Sequence, residues 1–199
     1  MGGIRQNFAV TKIEIMKYNR KKLLFELKAS VTRVNQIVTG FTFVDETLLN
    51  KKPSPESWSV LECLEHLNLY GDFYLPEMEK TILEGKNATH DWYKPGVLGD
   101  YFAKSMQPKT NGTLKKMKSP KDKQPVHSTL RMTTLDRFIK QLDHLERLLE
   151  MAATSDLQQN KTPISISKWI RLRLGDTFRF YVYHIERHIA QAERALKKV

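Results

Sequence analysis

The chain has 199 residues, of which 40% are hydrophobic and 28% charged, and its formal net charge is +11. This length and composition are typical of a single folded domain spanning residues 1–199. With one cysteine, no apolar run of transmembrane length and no signal-peptide core, the sequence excludes an intramolecular disulfide and predicts a cytoplasmic protein with no membrane partner. The positive charge is spread over several segments without a nucleic-acid-binding motif, so nucleic acid is not expected as the main partner.

Four long helices are predicted along the chain. The first is expected from about Tyr18 to Leu49, because apolar residues recur on one helical face, namely Leu24, Leu27, Val31, Val34 and Val38. The second is expected from Ser59 to about Gly85. Its start, "SVLE", is a capping box, in which Ser59 and Glu62 each satisfy a backbone amide of the other.

Residues 86–127 are predicted to form a long, mostly irregular crossover between the second and third helices. They contain nine lysines and four of the eight prolines, and few of their residues are periodic. Connections this long in a compact domain are usually functional or disordered. We therefore interpret this segment, with Trp92 and its lysines, as a cover for a pocket.

The third and fourth helices complete the prediction. The third opens at Thr133 with a second capping box, "TTLD", and carries a narrow apolar seam of Leu135, Phe138, Leu142, Leu145 and Leu149. The fourth is expected from about Ser167 to Lys197. Because no strand pattern of any length is apparent, the predicted fold class is all-α, a four-helix bundle with one long crossover.

Two histidines four residues apart, His184 and His188, lie in the fourth predicted helix. At about 100° per residue they are separated by about 40° around the helix and by about 6 Å along it, so both can face one metal ion. Glu186 is on the opposite side, which excludes the H-E-x-x-H arrangement of zinc proteases. Taken alone, the pair also suits two structural or surface histidines.

A third ligand has to come from another helix, and His66 in the second helix is the best candidate. Three neutral histidines leave coordination positions open for water or substrate, which is typical of catalytic rather than structural metal sites. Taken alone, His66 also suits a hydrogen-bonded core histidine. Cys63, one turn earlier, is better interpreted as an inert buried thiol than as a ligand.

Three stretches resemble one known family. "ESWSVLECLEHLNLY", "FYVYHIERHIAQAERAL" and the lysine- and proline-rich "MQPKTNGTLKKMKSPKDKQP" are similar to motifs of the DinB/YfiT-like superfamily, in its DinB_2 branch. The resemblance covers nearly the whole chain from about Tyr18, and leaves residues 1–17 as an N-terminal extension without a counterpart. It implies an up-down-down-up bundle, frequent homodimers, and a divalent metal, zinc or nickel, held by His66, His184 and His188.

The resemblance also implies a class of reaction, because the family includes transferases that use low-molecular-weight thiols and a mycothiol-dependent isomerase. We therefore expect a metal-dependent thiol S-transferase that acts on a small molecule. Tyr70, Tyr181 and Gln191 are the candidate substrate-binding residues, because they lie near the histidines on the two helices. The alternatives are a metal-dependent hydrolase, for which no convincing acid or base is apparent, and a non-catalytic stress-response or binding bundle.

Overall fold

The computed structural model describes residues 16–107, 119–125 and 130–199. This part of the chain is mostly helical, with the α-helices α1 Arg20–Gly40, α2 Glu46–Asn50, α3 Val60–Leu83, α4 Val97–Met106, α5 Met132–Met151 and α6 Leu174–Leu196. Two small antiparallel sheets accompany them, formed by β1 Tyr18–Asn19 with β2 Trp92–Tyr93, and by β3 Lys161–Ile164 with β4 Ser167–Arg173. The mainly helical fold is confirmed, whereas the expected absence of strands was wrong.

The long helices α1, α3, α5 and α6 surround the hydrophobic core. Helix α3 packs against α5 and α6, and α1 packs against the same two helices. The apolar faces predicted from helical spacing are buried, as at Val31, Leu64, Leu142, Leu145 and Phe178. This packing places α3 and α6, which carry the three candidate histidines, side by side. The up-down-down-up order remains a prediction.

The start of α3 is fixed by the capping box that the sequence predicts. The amide of Glu62 donates to Ser59 Oγ over 3.1 Å, and the amide of Ser59 donates to the Glu62 carboxylate over 2.8 Å. Both otherwise unpaired donors at the helix terminus are thereby satisfied. The box sets where the helix begins, and with it the direction in which His66, two turns later, projects from α3.

The crossover is more regular than predicted. Trp92–Tyr93 pairs with Tyr18–Asn19 as an antiparallel ladder, and α4 follows directly at Val97. Helix α4 packs against α6 with Ala103 and Met106 buried. The prediction of a mostly irregular segment thus missed α4, a short amphipathic helix among prolines and lysines. Residues 1–15 of the predicted extension, and residues 108–118 and 126–127 of the crossover, lie outside the described residues.

The predicted start of the fourth helix, at about Ser167, was also wrong. Residues 161–173 form the hairpin of β3 and β4, and α6 begins only at Leu174. Alternation of buried and exposed residues explains the strand, since Thr162 and Ile164 are buried while Lys161 is exposed. A period of two in "KTPISIS" is the pattern of a half-buried strand.

The ends of the other helices differ from the prediction as well. Helix α1 ends at Gly40 and is followed by a 3-10 turn and the separate short helix α2. Helix α5 begins at Met132 without the expected Thr133 box. Its first amide, that of Met132, instead donates to the Glu46 carboxylate of α2 over 2.9 Å. In the described ranges, no helix combines the length and apolar character needed to span a membrane.

The contact between α4 and α6 depends on a glycine. A Cβ atom added at Gly99 would lie 2.4 Å from the Cβ of Asp176, whereas one added at Gly40 would meet nothing within 4 Å. We expect Gly99→Ala to lower the free energy of unfolding by about 1–3 kcal/mol through overpacking. Gly40→Ala is expected to raise it by about 0.5–1 kcal/mol, because alanine favours the helix. Urea unfolding followed by circular dichroism measures both, and equal effects would contradict the close contact.

Candidate metal centre

Three histidine side chains from two helices meet at one point. His66 projects from α3, while His184 and His188 project from successive turns of α6. One ring nitrogen of each lies within 4.8 Å of the corresponding nitrogens of the other two. The Nε2 atoms of His66 and His184 are 3.2 Å apart. The three residues selected from the sequence are therefore brought together, and metal binding by them is chemically possible.

Two of the three rings are oriented by hydrogen bonds on the nitrogen that points away from the centre. His66 Nδ1 donates to the backbone carbonyl of Lys123 over 2.6 Å, and His188 Nδ1 donates to Gln191 Oε1 over 3.1 Å. Because these oxygens can only accept, each Nδ1 carries the proton and each Nε2 keeps its lone pair. This arrangement is typical of histidines that bind a metal through Nε2.

The third ring supports the same interpretation. His184 is 4% exposed, and its Nδ1 has no hydrogen-bond partner among the described residues. Its Nε2 lies 3.2 Å from the Nε2 of His66 and donates a hydrogen bond to that lone pair. A divalent cation bound by both nitrogens would replace this shared proton, so the nitrogen donors fit a divalent metal.

The histidines are held in the neutral form that a metal requires. Burial lowers the pKa of His66 to about 4 and that of His188 to about 3. Burial also lowers the pKa of His184 well below its ordinary value, and the neighbouring His188 and His66 lower it further. At neutral pH all three are therefore unprotonated on one nitrogen and available as ligands.

Aromatic rings pack around the cluster. The ring of Trp58 lies 4.8 Å from that of His66 and stacks on His188 at 5.7 Å between centroids. Tyr70 lies 4.4 Å from His184, and Phe180 stacks nearly parallel to His184 at 5.8 Å. These contacts restrict the rotation of the imidazoles and shield them from bulk water.

A cavity of about 800 Å³ opens next to the three histidines. Its walls come from the C-terminal half of α6, from residues 53–58 before α3, and from Met106, Ser119 and Pro120 of the crossover. This volume is in the range of small-molecule binding sites. The crossover therefore contributes to the wall of the cavity, although Trp92 does not line it.

The predicted substrate-binding residues occupy different places. Tyr70 and Gln191 line the cavity. Tyr181 does not, since it is 1% exposed in the core and packs on Tyr74 with 5.7 Å between ring centroids. Glu186 points away from the histidines and pairs with Arg33 of α1 at 3.7 Å, in agreement with its exclusion from the site.

Cys63 lies one turn before His66 and is fully buried. Burial, and then the charge of Glu62, raise the pKa of its thiol to about 12. A thiol in this environment is not a nucleophile or a metal ligand at neutral pH. It is also absent from the three-histidine group, in agreement with an inert core residue.

Several residues of the site were not selected from the sequence. Trp58 could have been predicted from the sequence, since it directly precedes Ser59, the cap residue of α3. The basic residues on the cavity face of α6, Arg187 and Arg194, recur at helical spacing, so a pattern existed for them too. Lys123 could not have been predicted from the sequence, because its backbone carbonyl contacts His66 only in the tertiary fold.

Comparison with known proteins gives one match. The family model of the DinB superfamily matches residues 26–192, a range that begins within α1 and includes all three histidines. No curated protein and no solved structure matches the chain significantly.

Proposed function

The chain belongs to the DinB superfamily, and from this premise we propose that it is a metal-dependent enzyme whose divalent cation, zinc or nickel, is held by His66, His184 and His188. The observation that carries the proposal is the convergence of three neutral imidazoles beside a cavity of about 800 Å³. Three histidine ligands leave coordination positions for a substrate. The proposal includes the four-helix bundle, with α1, α3, α5 and α6 as its helices, within one domain.

The proposed reaction joins a low-molecular-weight thiol to a small electrophile: the thiol gives up its proton to water, a sulfur–carbon bond forms, and the bond between that carbon and its leaving group breaks. A divalent cation held by His66, His184 and His188 would lower the pKa of the thiol, so that a thiolate would be available at neutral pH. Around it, Gln191 holds the tautomer of His188, while Trp58 and Phe180 keep bulk water from the rings. Burial raises the pKa of Tyr70, so its hydroxyl stays protonated and able to donate a hydrogen bond to a ligand.

The alternatives have less support from the residues of the cavity. A hydrolase needs a general acid or base, and among the described residues that line the cavity the only carboxylate is that of Glu56, which is exposed. A non-catalytic bundle has no need for an open cavity beside its histidines. The following experiment distinguishes both alternatives from the transferase.

The experiment begins with protein purified without a metal-affinity tag. We expect elemental analysis to find about one zinc or nickel ion per chain. The loaded protein is then assayed with thiols and chlorodinitrobenzene for conjugation, and with p-nitrophenyl acetate for ester hydrolysis. Conjugation that is lost after chelation would support the transferase. Substoichiometric metal would contradict any metal-dependent enzyme, and hydrolysis without conjugation would favour the hydrolase.

The crossover is expected to contribute to metal affinity through Lys123. Its carbonyl accepts the His66 hydrogen bond, and its Nζ donates to the carbonyl of Leu69 over 3.0 Å and lies 5.9 Å above the Tyr70 ring. Lys123→Met removes this anchor, and we expect metal affinity to fall about tenfold, as for other outer-shell partners of metal-bound histidines. Competition with a chromophoric chelator measures the affinity. Lys121→Met, at an exposed position of the same turn, is the control, and equal affinities of both variants would contradict the role of Lys123.

A further inference from the structure

Basic side chains of α6, and of the turn that follows it, line the cavity. Arg187, Gln191 and Arg194 follow at steps of four and three residues, which places them on one side of α6, and Lys198 lies in the turn two residues after the helix ends. All four line the cavity that the histidines also line. At about 1.5 Å per residue, Arg194 lies about 9 Å along the axis from His188, and Lys198 lies farther out.

The charge of this wall is unbalanced. Three basic side chains line the cavity, and Glu56 is the only acidic residue among the described residues that line it. Neither Arg194 nor Lys198 has a carboxylate within 4.0 Å among the described residues, whereas other cations of the chain, such as Arg137 and Arg179, are paired. Cations without a partner beside a cavity favour an anionic ligand there.

The segment before α3 adds hydrogen-bonding groups to the cavity. Ser54 and Ser57 line the cavity, with their hydroxyl oxygens 2.6 Å apart. Hydroxyl donors together with guanidinium and ammonium groups are the usual partners of carboxylate and phosphate oxygens. The outer part of the cavity is thus polar and basic, whereas the inner part is formed by the histidines and aromatic rings.

We propose that Arg194 and Lys198 bind the acidic end of the ligand, a carboxylate or phosphate, while its sulfur lies at the three histidines. This inference rests on the proposed thiol chemistry for the inner end, and the row of basic residues defines the outer end. The ligand is then an elongated, anionic thiol, whose acidic group is about 9 Å or more from its sulfur. A small neutral thiol fills only the inner part of the cavity.

The test compares thiols with and without their acidic groups. Calorimetric titration is performed with pantetheine and 4′-phosphopantetheine, and with glutathione diethyl ester and glutathione, on metal-loaded and metal-free protein. We expect at least one anionic thiol to bind about tenfold more tightly than its counterpart without the acidic group, the effect of one or two charged hydrogen bonds. The pair that shows the preference identifies phosphate or carboxylate as the recognised group.

Variants assign the preference to the basic row. In the double variant Arg194→Gln/Lys198→Gln the ratio between anionic and neutral thiol should fall to about one, with metal content unchanged. Lys197→Gln/Lys161→Gln also removes two charges, from exposed residues that do not line the cavity, and it should keep the ratio, as should Lys197→Gln alone. Equal binding of charged and neutral thiols by the wild type, no binding of either anionic thiol, or an equal loss in Lys197→Gln would overturn the proposal.

Titrations of the metal-free protein distinguish the basic subsite from the proposed thiol transfer. Preference for the anionic thiol that persists without metal supports the basic subsite, even if the loaded protein fails to conjugate thiols. Cobalt-substituted protein reports on the inner end, because a coordinated thiolate gives a sulfur-to-cobalt charge-transfer band. A protein that shows this band with every thiol, but no preference for the anionic ones, keeps the proposed function and refutes the subsite.

Discussion

Replacing His188 by alanine is expected to abolish stable metal binding. The substitution removes one of three nitrogens that lie within 4.8 Å of one another, and two histidines alone hold a divalent ion poorly. Loss of an outer-shell partner already costs about 10–100-fold in affinity, so loss of a ligand is expected to cost more than about 100-fold. Elemental analysis after gel filtration and chelator competition measure the effect.

His144→Ala is the matched control for this experiment. His144 lies on α5, and its Nε2 is 3.3 Å from the Glu79 carboxylate at the surface, so it has no part in the cluster. This variant should keep its metal and its affinity. Equal retention by His188→Ala and His144→Ala would show that the metal, if any, is bound elsewhere. His184→Ala should behave as His188→Ala does, because it removes another nitrogen of the same group.

Replacing Arg179 by methionine is expected to lower the free energy of unfolding by about 3–5 kcal/mol. Arg179 is 1% exposed, and its Nη2 donates to Asp100 over 2.9 Å and to the Tyr18 hydroxyl over 3.1 Å. Its Nη1 lies 3.6 Å from the carboxylate of Asp176, which is fully buried. Without the guanidinium, the Asp176 carboxylate loses its nearest cation, and Tyr93 and Gly96 remain as its hydrogen-bond donors.

Arg171→Met is the control, since Arg171 is exposed on β4 and donates only to the Lys161 carbonyl of the same hairpin among the described residues. Its effect on the free energy of unfolding should stay within about 0.5 kcal/mol. Urea denaturation of both variants measures the difference. A loss for Arg179→Met no larger than for Arg171→Met would mean that the buried ion pairs contribute no net stability. Because Arg179 joins β1 and α4 to α6, a larger loss identifies it as the link between these elements.

Local patterns were sufficient for much of this molecule. Helical spacing of apolar residues identified the long helices, and the reciprocal Ser59–Glu62 pair identified the first turn of α3. The spacing of His184 and His188 determined that both face one side of α6. These features depend on residues within a few turns of one another, and such short-range geometry is fixed by the helix itself.

Contacts between distant parts of the chain were harder to predict. Tyr181 lies one turn before His184, yet it enters the core because α6 is covered on that side by α3. The prolines and lysines around α4 obscured it in the sequence. Its buried face is short and consists of Gly99, Ala103 and Met106, and Gly99 allows the close approach to α6. The β3–β4 hairpin has the alternation of a strand, which was overlooked beside the helical pattern that follows it.

The hydrogen bond from His66 to the Lys123 carbonyl links two equilibria. Docking of residues 119–125 orients His66, so under the proposed function a bound metal would stabilise the docked segment by the same free energy that docking adds to metal binding. Detachment of this segment would lower the metal affinity by an equal amount. Under the proposed function, metal would therefore slow those proteolytic cuts within residues 119–125 that require the segment to detach, an effect that can be measured without knowledge of the substrate.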